Sequence, residues 1–155
     1  MEIGMKYFDK TYRDFSTKRE YHEYLKNRLY QVLKKKMPDV EFLTEYPPHE
    51  PYGIDIVGLK KILGKKIEII AIEVLGIAEE TVFKKKGIRS GQLEKIMADI
   101  SKLLFRSSAP LKVLVFSTIQ VRDYMRKIKE RNLKRGCLNW QQIDFYEVNE
   151  FVEKL

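Results

Sequence analysis

The spacing of apolar and polar positions resolves most of this chain into helices and strands before any chemistry is considered. Tyr21, Leu25, Leu29, Val32 and Leu33 recur at helical spacing behind Thr17-Lys-Arg-Glu20, which has the form of a capping box, and Pro38 stops the helix. Val40 to Tyr46 alternates as a first strand, and Pro47-Pro-His-Glu-Pro51 reads as a stiff, extended loop. Two β-branched, apolar stretches follow, Tyr52 to Gly58 and Lys66 to Gly76, bounded by Gly and Pro and separated by a turn rich in Lys and Gly. They predict a buried β-hairpin. From Gly91 to Phe105, the positions Leu93, Ile96, Met97, Ile100, Leu103 and Leu104 form a full helical stripe. Leu111 to Phe116 is short and continuously apolar, as a fully buried strand is. A helix then starts near Thr118, turns Val121, Tyr124, Met125 and Ile128 inward, and ends at Gly136. Ile143 to Val148 is a last strand, at an edge, before a short acidic tail. The order α-β-β-β-α-β-α-β predicts an α/β fold with a mixed β-sheet flanked by helices.

Residues 1–15 mix aromatics with charges and show no clean period. They read as a short helix or coil covering the core, or as an arm that packs on a partner subunit of a homodimer.

Composition narrows the class. At 155 residues, 44% hydrophobic and 34% charged, the chain is one globular domain with room for a proper core. Its net charge of +8 favours polyanions, of which nucleic acid is the commonest and an anionic membrane surface the lesser alternative. The single cysteine, Cys137, excludes an internal disulfide and fits a reducing, cytoplasmic setting. No apolar run is long enough to span a bilayer, and the N-terminus has no apolar leader core. The abundance of Lys, Glu and Ile hints at a thermophile.

Against this background Asp55 and Glu73 stand out. Both lie inside the apolar hairpin, where an ionised carboxylate is costly to desolvate unless something pairs with it. Carboxylates on adjacent strands suit a hard divalent cation, which takes one or two of them and fills its shell with water and phosphate oxygens. The bland alternative is a strand-end acid in solvent or one paired with a lysine, the expected state of Glu68. Glu73 shares its strand face with Ala71 and Leu75, by the two-residue repeat. On the helix from Gly91, with Ile100 taken as zero, Gln92, Lys95, Asp99 and Lys102 fall between about −80° and −160°, on one flank.

The hairpin resembles the PD-(D/E)xK nuclease superfamily, which includes many restriction endonucleases and archaeal Holliday-junction resolvases. Gly53-Ile-Asp-Ile-Val57 stands for its first motif, without the Pro, and Ala71-Ile-Glu-Val-Leu-Gly76 for its second, with Leu75 where the Lys belongs. The likeness covers most of the chain in element order, but the motif itself is short and degenerate. It implies a restriction-endonuclease-like core and hydrolysis of phosphodiester bonds in DNA with Mg²⁺ or Mn²⁺ held by Asp55 and Glu73. It also implies an accessory acid on the first helix. With Leu25 as zero, Glu20 at about −140° and Glu23 at about 160° both leave the apolar stripe, which spans roughly −40° to +80°. Glu20, bordering the Tyr21/Tyr24 flank, is the favoured one, although it also serves as a cap.

One exonuclease branch of the superfamily carries a Gln on the helix after its second motif, and Gln92 sits at a comparable place. Lys95, one turn on, is then the candidate to replace the missing lysine, against its reading as an ordinary surface lysine. His49, on the Pro-rich loop, is a poor metal ligand candidate. For phosphate contacts the candidates are the basic loop Lys84, Lys85, Lys86 and Arg89, with Arg122 and Arg126 of the basic helix. A Walker loop, a dinucleotide fingerprint and a cysteine metal cluster are all missing. Three readings remain: a metal-dependent endonuclease, a nuclease-fold protein that binds nucleic acid without cutting it, and a basic α/β assembly domain with structural acids.

Overall fold

A computed structural model of the chain describes residues 7–48, 53–76 and 90–155. The hairpin is built from β2 (Ile54–Ile62) and β3 (Lys65–Leu75), joined by Leu63 and Gly64. Both turn residues have positive φ, 51° and 81°, the backbone pair that matches the twist of two antiparallel strands. Gly64 takes that conformation without strain, and Leu63 is fully exposed there. Strand β1 (Glu41–Tyr46) adds to β2 antiparallel, and β4 (Leu111–Phe116) and β5 (Ile143–Glu147) add parallel on the other side of β3. The result is a five-stranded mixed sheet in the order β1-β2-β3-β4-β5. Strand β3 is therefore central, and β5 forms an edge.

Helices cover both faces. On one lies α1 (Lys18–Lys36), whose Leu25, Leu29 and Leu33 pack on Ile56, Ile72, Val74, Val113 and Val115. Leu29 and Leu33 are wholly buried, each worth about 1.5–3 kcal/mol of burial. On the other face lie α2 (Ser90–Arg106) and α3 (Ile119–Lys134), whose Ile96, Ile100, Val121 and Met125 pack on Val57, Ala71, Leu75, Leu114 and Phe116. The cap of α1 is as its sequence suggests on one side, since Thr17 Oγ1 accepts from Glu20 N at 3.1 Å. Glu20 itself reaches Ser16 N, at 3.3 Å, rather than Thr17 N.

The acidic tail is instead a helix, α4 (Val148–Glu153). Glu147 accepts from Asn149 N at 2.6 Å and Glu150 accepts from Glu147 N at 3.2 Å, so these acids cap α4 while Val148, Phe151 and Val152 are buried beside α1. Residues ahead of α1 are a 3₁₀ turn, Tyr12–Asp14, with Phe8 buried against the α1 face. Among the described residues no helix is long and apolar enough to cross a membrane.

Candidate active site

The pairing Ile56–Ile72, carried one step toward the β3 C-terminus, sets Asp55 opposite Glu73. Their neighbours Val57, Ala71 and Leu75 pack under α2, so both carboxyl groups point to that face of the sheet. There each carboxyl shifts the pKa of the other. Asp55 Oδ2 also accepts the Val74 N–H at 2.9 Å and stands 3.2 Å from His22 Nε2 of α1. Burial by itself would raise the Asp55 pKa, but the bonds from His22, Glu73 and Val74 outweigh it and lower the value to about 2. Glu73 goes the other way. It is 1% exposed, and burial followed by the negative charges of Asp55 and Asp99 pushes its pKa well above the usual range. Of the pair, Asp55 is the stronger acid and Glu73 the weaker one.

Helix α2 supplies the cations. Lys102 Nζ stands 2.9 Å from Glu73 Oε1 and 3.5 Å from Asp99 Oδ1, with its side chain only 17% exposed. Burial disfavours its charge, but Glu73 and Asp99 more than compensate, so its pKa is raised. Lys95, one turn earlier, donates to both oxygens of Asp99 at 2.9 and 3.2 Å and is mostly exposed. Asp99 is fully buried, and that burial raises its pKa against the pull of both lysines. Although Lys102 is close, Glu73 Oε1 has no aligned hydrogen-bond donor among the described residues. A buried carboxylate oxygen with an open lone pair, beside an ionised partner, is chemically suited to a hard cation.

The residues expected from the sequence are placed as follows. Asp55 and Glu73 come together. Gln92 and Lys95 line a cleft beside them with Leu75 and His22, and the Lys95 ammonium rests on Asp99. Leu75 is 5% exposed and packed under α2. Glu20 is an exposed cap of α1. Glu23 pairs with Lys26 at 3.1 Å and lies 3.9 Å from His22 Nδ1, behind the ring that holds Asp55. Arg122 pairs with Asp123 and Glu150, and Arg126 donates to Phe145 O and Glu150, so both tie α3 to α4 and Arg126 also ties it to β5. Lys84, Lys85, Lys86, Arg89 and His49 lie outside the described residues.

His22 was missed by sequence reasoning, although it carried a signal. At about +60° from Leu25 it falls inside the apolar stripe of α1, where a histidine needs a partner. Asp99 and Lys102 were on the right flank of α2, but which lysine meets Glu73 depends on how that helix crosses β3.

Among the described residues no group of three or more His, Cys, Asp or Glu is arranged to hold a metal, so an ion here would rest on the two carboxylates. Comparison with family models, with characterised proteins and with solved structures returns no match.

Proposed function

We propose that this protein is a divalent-metal-dependent nuclease of restriction-endonuclease-like type, hydrolysing phosphodiester bonds in DNA. The observation that carries this reading is the meeting of Asp55 and Glu73 on one face of the sheet, with the Lys102 ammonium 2.9 Å from Glu73. Mg²⁺ or Mn²⁺ held by these two carboxylates would supply Lewis acidity at the phosphate and polarise the attacking water. The chain's own residues do the rest. His22 and Val74 N–H fix Asp55 as an anion aimed at the site. Glu73, the weaker acid of the pair, would be held ionised by such a cation. Lys102 then faces the phosphate oxygens as charge builds on them, the role left open by Leu75. Lys95 and Asp99 hold the α2 side of the site in place.

A second reading has its own observation. The Lys102 ammonium, 2.9 Å from Glu73, can balance that carboxylate by itself, as a protein that binds nucleic acid without cutting it would require. Incubation with supercoiled and branched DNA, with and without Mg²⁺ or Mn²⁺, separates the two. Under the first reading, Asp55→Asn and Glu73→Gln abolish cleavage and leave DNA binding unchanged or tighter, since a charge facing phosphate is lost. No cleavage in any metal, or full activity in either variant, rejects it.

A further inference from the structure

Two cavities adjoin beside the carboxylates. One, of about 340 Å³, is lined by Lys18, Arg19, His22, Gln92 and Lys95 among others. The second, of about 200 Å³, is lined by Tyr12, Phe15 and Tyr21 with the polar Ser16 and Thr17. Lys18 and Gly76 line both, so the two lie side by side. Gly76 keeps the partition thin: a Cβ there would come within 2.9 Å of the Tyr21 ring. His22 joins the first cavity to the catalytic side, since its Nε2 stands 3.2 Å from Asp55. No carboxylate lines either cavity among the described residues.

The chemistry is divided in space. Cations gather at one end, where Lys18 and Arg19 open the first turn of α1 and its N–H groups add to their field. Aromatic rings gather at the other, with Tyr21 buried and Tyr12 and Phe15 half-buried. Gln92 adds a buried amide oxygen that no group among the described residues donates to, suited to a base N–H or a sugar hydroxyl. A phosphate needs the first end and a nucleobase the second. Aromatic rings beside a cationic groove are the means by which proteins hold single strands, because every base offers a stacking face. A base inside a duplex is already stacked on both sides.

We infer that the two cavities seat one unpaired nucleotide of the substrate strand, its base against Phe15 and Tyr12 and its phosphate at Lys18 and Arg19. The protein therefore selects single strands and unpaired ends over closed duplex. This inference rests on the nuclease reading for its substrate, but it is tested by binding alone.

Binding is measured by fluorescence anisotropy on the full chain without divalent metal, so that nothing is cut. The probes are a labelled oligothymidylate, an oligouridylate of equal length, a blunt duplex, and thymidine monophosphate as competitor. Both single strands bind more tightly than the duplex, and Phe15→Ala weakens them by roughly 5- to 150-fold, the worth of one stacked base. Duplex binding is unchanged in that variant. Phe15→Trp restores strand binding, which separates lost stacking from lost packing, and Lys18→Ala weakens every strand. Equal affinity for strand and duplex overturns the inference. So does a Phe15→Ala loss that Phe15→Trp fails to restore, or competition by the monophosphate with no preference for a strand. Stacking-dependent binding in a protein that cuts nothing would sustain this inference and sink the catalytic one, and cleavage without strand preference would do the reverse.

Discussion

Replacing Lys102 with Met keeps the aliphatic stem and removes only the ammonium. At an effective dielectric near 20, the attraction across 2.9 Å to Glu73 and 3.5 Å to Asp99 is about 6 and 5 kcal/mol before desolvation. Desolvation cancels much of this. What remains after stranding the partners of a buried ion pair is roughly 3–5 kcal/mol. Both carboxylate side chains are only 1% exposed, so solvent does little to screen the loss. Glu73, whose pKa is raised, can answer by taking up a proton, which sets the expected cost at the lower end. For a domain of this size, about 2–4 °C per kcal/mol translates a cost of about 3 kcal/mol to a fall in Tm of roughly 6–12 °C. The assay is thermal unfolding followed by circular dichroism at neutral pH in a chelator, for wild type, Lys102→Met, Glu73→Gln and the double variant. The double variant should recover much of the loss, because Glu73→Gln removes the stranded carboxyl. Divalent ions should stabilise Lys102→Met more than wild type, since the resident positive charge that repels them is gone. Cleavage should fall by about 10²–10³, the scale of one lost electrostatic stabiliser. A loss of Tm under about 2 °C, or strictly additive variants, would refute the claim that Lys102 neutralises Glu73.

Two further outcomes follow from the same site. The depression of Asp55 from 3.8 to about 2 corresponds to about 2 kcal/mol of stability, present above the unfolded value near pH 4 and lost as pH falls toward 2. Acid unfolding of Asp55→Asn should lack that slope, and an identical acid limb in both proteins would contradict the assignment. Leu75→Lys places an ammonium at a 5% exposed position that borders the cleft, so it should lower Tm yet restore part of the activity missing in Lys102→Met. A folded double variant with no gain in cleavage would show that position 75 cannot serve.

The sequence by itself determined the class of fold and the place to look for chemistry. Residues Leu25, Leu29, Val32 and Leu33 repeat at the period of a helix, and β-branched runs on either side of Gly64 demand a buried hairpin. Such patterns are local, because each element must turn one face inward wherever its partners lie. Asp55 and Glu73 were visible for the same reason: acids in an apolar run are conspicuous without any neighbour being known. The acidic tail was misread because Glu147 and Glu150 are caps, and a cap is recognised only once the helix behind it packs on α1. What the tertiary structure alone decided was pairing. The flank of α2 offered Lys95 and Lys102 with similar angles, and only the crossing of that helix over β3 gives Asp99 to the first and Glu73 to the second. Likewise His22 meets Asp55 because α1 lies across β2 and β3, a contact between residues 33 apart in the chain. Helical and strand periods report which side of an element faces the core. They carry no information about which side chain from another element will stand opposite, and here that opposition shifts the pKa values of Asp55, Glu73 and Asp99.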